Sequence, residues 1–346
     1  MKNALIFSPL LEDYHLNTRK NKDKAVSMII GLDPTLSHNQ ACQKILTYHF
    51  NHFLKYETLL IDNCNKVDSD VIHDMRVTVR RIESLLCIFQ FDFKASLIKL
   101  LKNSLKNIMH RLSLVRDLDV FMKNMTSYQN TLMLESVLND EEKNDFLFII
   151  AYFKNQRKRA MKKIITLLQS KDHAKFKEKI GHYLVDSFKH KKMTSFHKNS
   201  PYKIRHIAFS AIYKSYEVIR LRDELLKNAT IDQLHNFRKD CKNLRYLLEN
   251  FQEILGKDSA EALAEMKKIQ DYLGDLNDTE VAQDFLHYYL AHDAQLSKRS
   301  LPHPVANYLT EVEKKQKLLL EGFPAFWHQV NTPKLRRHLA LAIAEL

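Results

Sequence analysis

Apolar residues recur along this chain at three- and four-residue spacings, with no sustained alternation of the kind a half-buried strand shows. From about residue 37 onward nearly every segment reads as an amphipathic helix. Helices are predicted at about 37–65, 70–91, 95–115, 117–138, 140–169 and 172–190. A polar, basic stretch from Lys191 to Pro201 reads as a linker. After it come helices at about 203–228, 231–255, 259–273, 277–294, 304–321 and 333–345. Residues 1–35 are weakly periodic and are assigned to an N-terminal arm. Glycine (5) and proline (7) are scarce, and between Pro34 and Pro201 only Gly181 breaks the run. Sheets joined by tight turns need that punctuation, so the fold class is all-α.

Two of the helices match each other. Counted from its histidine, the helix reading VIHDMRVTVRRIESLLCIFQ has His73, Arg76 and Arg80 at offsets 0, 3 and 7. The helix reading QLHNFRKDCKNLRYLLENFQ has His235, Arg238 and Lys242 at the same offsets. Offsets 2, 6, 9, 12, 13 and 16 are apolar in both, from Met75 to Phe89 and from Phe237 to Phe251. At about 100° per residue the His-Arg-basic positions form a narrow stripe opposite the apolar face. A second matched pair lies downstream, LSLVRDLDV at 112–120 and LGDLNDTEV at 273–281, with Asn277 where the first copy has Arg116. The pairs are 162 and 161 residues apart, so the chain holds a duplicated unit.

These four motifs, HDMRVTVRR, LSLVRDLDV, HNFRKDCKNLRY and LGDLNDTEV, resemble those of the CHAD family, the conserved histidine α-helical domain. The region around Trp327 is similar to the family's C-terminal helix. The resemblance spans about residues 36–330 and implies two pseudo-symmetric four-helix bundles forming one domain, the halves at about 36–190 and 201–330. Residues 331–346 are then a C-terminal tail. It further implies a basic pocket lined from both halves, binding of inorganic polyphosphate, and recruitment to polyphosphate granules in some members. Many members also carry a triphosphate-tunnel enzyme domain, for which this chain has no room, so it resembles a stand-alone member.

Charge adds a partner class. The net charge is +13, and residues 150–248 alone carry 24 Lys+Arg against 8 Asp+Glu. Such a concentration suits a polyanion, although a solvated basic surface would look the same. Polyphosphate has no bases to read, so its binder needs cationic donors along a path. Arginine's fork can take two phosphate oxygens at once. Arg76, Arg80, Arg238 and Lys242 are the leading candidates, with His73 and His235 as further donors. Arg245 stands at the stripe's edge. Tyr246 can donate its hydroxyl or simply pack. Lys102 and Lys106 share a helix face, and the run from Arg157 to Lys163 is densely basic; both can extend the path or be solvated faces. Arg116 can reach the site or pair with Asp119.

Two rival readings stay open. A nucleic-acid-binding helical module would use the same phosphate contacts, usually with exposed aromatics. A metal-dependent phosphohydrolase would use Asp117, Asp119, Asp278 and Glu280. Those acids equally suit helix starts or buried ion pairs, and the second copy reads His235-Asn236 where the first has His73-Asp74. There is no GxxxxGK[ST], HExxH or GxSxG, and no cofactor is expected. Four scattered cysteines without a CxxC pair suit a reducing, cytoplasmic setting, and neither a signal peptide nor a membrane span is read.

Overall fold

The computed structural model describes residues 30–63, 68–90, 93–135, 138–189, 203–292, 302–344 and 346. The linker at Lys191–Pro201 and almost all of the arm at 1–35 lie outside these residues. Among the described residues the chain forms ten α-helices and no strand. In the first half these are α1 (His38–Asp62), α2 (Ser69–Phe89), α3 (Ala95–Leu134), α4 (Asp140–Leu168) and α5 (Lys171–Lys189). In the second half they are α6 (Ile204–Arg220), α7 (Ile231–Asn250), α8 (Ser259–His292), α9 (His303–Val330) and α10 (Pro333–Ala344).

Local chemistry fixes several helix starts. Ser37, Asn139 and Thr230 cap α1, α4 and α7, and each forms a reciprocal capping box with the Gln or Glu three residues on. Two orphaned N–H groups are thereby satisfied at each start. The buried face of α2 is Ile72, Met75, Val79, Ile82, Leu85, Leu86 and Phe89. That of α7 is Leu234, Phe237, Cys241, Leu244, Leu247, Leu248 and Phe251. Every apolar offset read from the sequence is therefore inside.

Two predicted breaks do not occur. The LSLVRDLDV and LGDLNDTEV segments lie in mid-helix, within α3 and α8. The apolar register explains why: Leu112, Val115, Leu118 and Phe121 stay buried through the first motif, and Leu273, Leu276, Thr279 and Ala282 through the second. The acidic residues there do not start helices. At about 1.5 Å per residue, the 40-residue α3 is about 60 Å long. The helix ending near residue 321 on sequence grounds instead runs on through Pro324 to Val330.

The contact order repeats. α1 packs on α2, α2 on α3 and α3 on α4; α6 packs on α7, α7 on α8 and α8 on α9. Across the molecule α2 meets α7, α3 meets α8 and α4 meets α9. Residues 331–346, read from sequence as a tail, are corrected to part of the body. α10 buries Leu335, Leu339, Ala342 and Ile343 and packs on α8 and α6. Its apolar positions find a surface there, and the Ala342 carbonyl accepts from Gly256 N at 2.9 Å.

Candidate functional site

The contact between α2 and α7 turns the two basic stripes toward one another. Arg76 and Arg80 come from α2; Arg238, Lys242 and Tyr246 come from α7; Asp117 and Asp278 come from α3 and α8. Arg76 Nη1 lies 3.6 Å from Asp117 Oδ1, and Arg238 Nη1 donates to Asn277 Oδ1 at 2.7 Å. Asp117 and Asp278 occupy equivalent places in the duplicated motif. Each sits one helix over from the arginine of its own copy.

Charges interact across the two halves. Lys242 feels Arg238 beside it on α7 and Arg76 and Arg80 opposite. Asp117 feels Arg76, Arg238, Lys242 and Arg116. Tyr246 lies near Arg80, and His73 near Arg245. The stripes are one cluster, a point that spacing alone left open. Arg238 carries a second signal: its Nε is buried and has no hydrogen-bond partner among the described residues. A buried donor left unpaired costs about 1–3 kcal/mol, and an acceptor arriving at the cluster would satisfy it.

Proton affinities follow from this crowding. Burial, and then the positive neighbours Arg238, Arg76 and Arg80, lower the pKa of Lys242 to about 7. His73 is exposed, yet the protein around it takes water from its ring. Arg116 and Arg76 add repulsion, and its pKa is lowered to about 4. Burial followed by the Lys239 and Arg238 charges also lowers that of His235. Burial raises the pKa of Asp117 and Asp278 in spite of the arginines beside them. The cluster thus holds more positive charge than its acids neutralise, and some of its members are poised to take up protons.

Other sequence candidates are placed differently. Arg80 Nη1 donates to Glu83 at 3.1 Å within its own helix, yet about half its side chain stays open. Arg245 is a brace: Nε donates to Glu249 at 2.7 Å and Nη1 to Gln270 at 2.6 Å. Arg116 stands beside His73 and Arg76 rather than on Asp119. Asp119 is instead bound by Arg157, including a 3.2 Å bond from Nη2 to Oδ2. Lys102 and Lys106 are exposed on the same side of α3 as Arg116, but about 22 and 16 Å along the axis from Asp117. Lys102 donates to Gln90 at 3.3 Å. They lie outside the cluster.

Asp117 and Asp278 have arginines as neighbours, and no group of three or more His, Cys, Asp or Glu among the described residues is arranged to hold a metal ion. The network most easily missed from sequence is Arg81–Glu249–Arg245, because its partners are 168 residues apart. Asp117, beside Arg76, answers to the ion-pair reading of the motif acids and not to helix starts.

The CHAD domain family model matches residues 44–287. The crystal structure of the CHAD domain from the plant Ricinus communis superposes with a TM-score of 0.63 at 18% identity, over 90% of this chain and 95% of that one. PptA from Streptomyces chartreusis superposes with a TM-score of 0.58 at 14% identity, over 86% and 99%. No curated protein sequence gives a significant match.

Proposed function

The chain belongs to the CHAD domain family, and from that premise we propose that it binds inorganic polyphosphate, without catalysis, at the cluster between α2 and α7. The observation that carries this reading is the meeting of Arg76 and Arg80 with Arg238 and Lys242, with Asp117 and Asp278 among them and Glu83 bonded to Arg80. A linear phosphate polymer brings closely spaced negative charge and many acceptors. It would replace the mutual repulsion of the cations with charge-assisted hydrogen bonds, and would offer the unpaired Nε of Arg238 an acceptor. A longer polymer leaving the cluster along α3 would meet Lys106 and then Lys102. This supports a preference for long chains over short ones.

No helix among the described residues is long and apolar enough to cross a membrane. The proposal includes a cytoplasmic setting and recruitment of the protein to polyphosphate granules.

The test is a titration against long-chain polyphosphate, with single-stranded DNA and RNA at matched phosphate concentration, over a salt series. It is repeated with Arg76, Arg80, Arg238 and Lys242 changed to Ala in a variant verified to be helical. The expected result is polyphosphate binding that exceeds both nucleic acids and collapses in the variant. Equal binding of all three polymers, or undiminished binding by the variant, would reduce the site to nonspecific attraction. Tighter binding of RNA or DNA would favour the nucleic-acid reading.

A further inference from the structure

The basic run on α4 is divided by the fold. Arg157 turns to Asp119, whereas Arg159, Lys162 and Lys163 line a cavity of about 1460 Å³, joined by Arg111 from α3 and Lys179 from α5. Between these cations the wall carries apolar side chains, of which Leu114 and, in part, Phe285 of α8 are open, whereas Leu118 and Phe153 are buried. Leu114 keeps 42% of its surface open. None of the five cations forms an ion pair with a described residue. Of the two acids in the lining, Asp172 lies 3.9 Å from another lysine, Lys175.

The duplicated architecture does not require this groove. At the 161-residue offset that pairs Leu112 with Leu273, Arg111 corresponds to Tyr272. Along α4 and α9 the buried residues Phe146, Met161 and Leu168 match Tyr308, Phe323 and Val330 at an offset of 162. At that offset Arg159, Lys162 and Lys163 correspond to Glu321, Pro324 and Ala325. In the second copy Tyr272 stacks on Phe326 with ring centroids 4.2 Å apart, and its hydroxyl donates to the Leu319 carbonyl at 2.7 Å. Aromatic packing thus occupies there what the first copy leaves open and lines with cations.

We infer that the groove between α3, α4 and α5 binds a single anionic amphiphile, its acidic head among Arg159, Lys162, Lys163 and Arg111 and its hydrocarbon chain along Leu114 and Phe285. The groove has two unmet requirements, apolar surface facing water at Leu114 and Phe285 and cations that outnumber the acids of the lining. Polyphosphate would answer the second alone, and a neutral lipid the first alone. A molecule with both parts answers both. The volume exceeds the roughly 300–1,000 Å³ of pockets for drug-sized ligands, which suits a long chain. Arg116 lies on the face of α3 opposite Leu114 and Leu118, and no residue of the α2–α7 cluster lines the groove, so the inference does not depend on the polyphosphate reading.

The experiment uses the full chain and lysophosphatidate below its micellar concentration, compared with monoacylglycerol of the same chain length, orthophosphate, tripolyphosphate and phosphatidylglycerol vesicles. Circular dichroism verifies that the protein stays folded. The expected result is saturable one-to-one binding of lysophosphatidate, at least about tenfold tighter than either half-ligand. It should weaken about tenfold or more in Arg159→Glu/Lys163→Glu and in Leu114→Asp, and remain unchanged in Arg76→Ala. Absence of saturable binding, tripolyphosphate or monoacylglycerol binding as tightly, vesicle binding without monomer binding, or indifference to the groove variants would each overturn it.

Discussion

Arg81 on α2 and Glu249 on α7 are joined at two points, Nε and Nη2 lying 3.0 and 2.8 Å from the same carboxylate oxygen. The other oxygen of Glu249 takes Arg245, which continues to Gln270 on α8. One largely buried carboxylate thus ties both halves of the molecule together immediately beside the proposed binding cluster. Glu249→Gln keeps the shape and removes the charge, leaving two guanidiniums without their counter-ion. Removing one partner of such a pair is costly. The expected loss is about 2 kcal/mol, read as a lower denaturation midpoint. An unchanged midpoint would mean that apolar packing alone joins the halves.

The cluster and the outlying lysines of α3 make separable predictions. Arg76→Ala or Arg238→Ala should weaken binding of both short and long polyphosphate by about 10- to 100-fold, the range of a lost charge-assisted contact of about 1.5–3 kcal/mol. Lys102→Ala and Lys106→Ala should leave short chains unaffected and weaken long chains by a few-fold. Affinity measured against a ladder of chain lengths distinguishes the two patterns. Equal effects at all four sites and at all lengths would dissolve the distinction.

Asp117 makes a prediction of opposite sign. It opposes incoming phosphate, and burial has already raised its pKa, so the folded protein favours its ionised form less than the unfolded chain does. Asp117→Asn should therefore tighten polyphosphate binding several-fold while changing stability by less than about 1 kcal/mol. A variant that binds more weakly would make Asp117 a positioning residue for Arg76 instead.

The fold was legible because two signals agreed. Apolar positions at helical spacing named the buried faces of α2 and α7, and the repeat of His-Arg-basic offsets named the face opposite. Continuity of α3 and α8 was not legible. Aspartates in RDLD and DLND look like caps, and only the burial of Leu112 through Phe121 shows that the register runs on. The basic residues of the cluster were legible because each stripe shares a helix with its own repeat. Partners such as Glu249 for Arg81, and the cavity that divides Arg157 from Arg159, depend on which helices meet. Local periodicity carries no information about that.

Lys242 gives the prediction most specific to this geometry. Its pKa falls from 10.5 to about 7 because burial and three arginines disfavour its charge. Between pH 7 and 10.5 the unfolded chain holds more protons at this position than the folded one, so stability at this site rises with pH across that window and declines as pH falls toward 7. Bound polyphosphate reverses the local field and restores the charge. Binding near pH 7.5 should therefore take up as much as one proton, and affinity should fall as pH rises above 7. His73, held at about 4, should contribute a second uptake at lower pH. Calorimetry in buffers of different ionisation enthalpy measures both, with long chains so that titrating end groups are few. Lys242→Met should abolish the uptake near pH 7.5 and spare the one near pH 5. Lys242→Arg, always charged, should keep its affinity at pH 9. Binding enthalpies independent of buffer at pH 7.5 would show that the lysine is already protonated, and that the three arginines do not act on it as their placement requires.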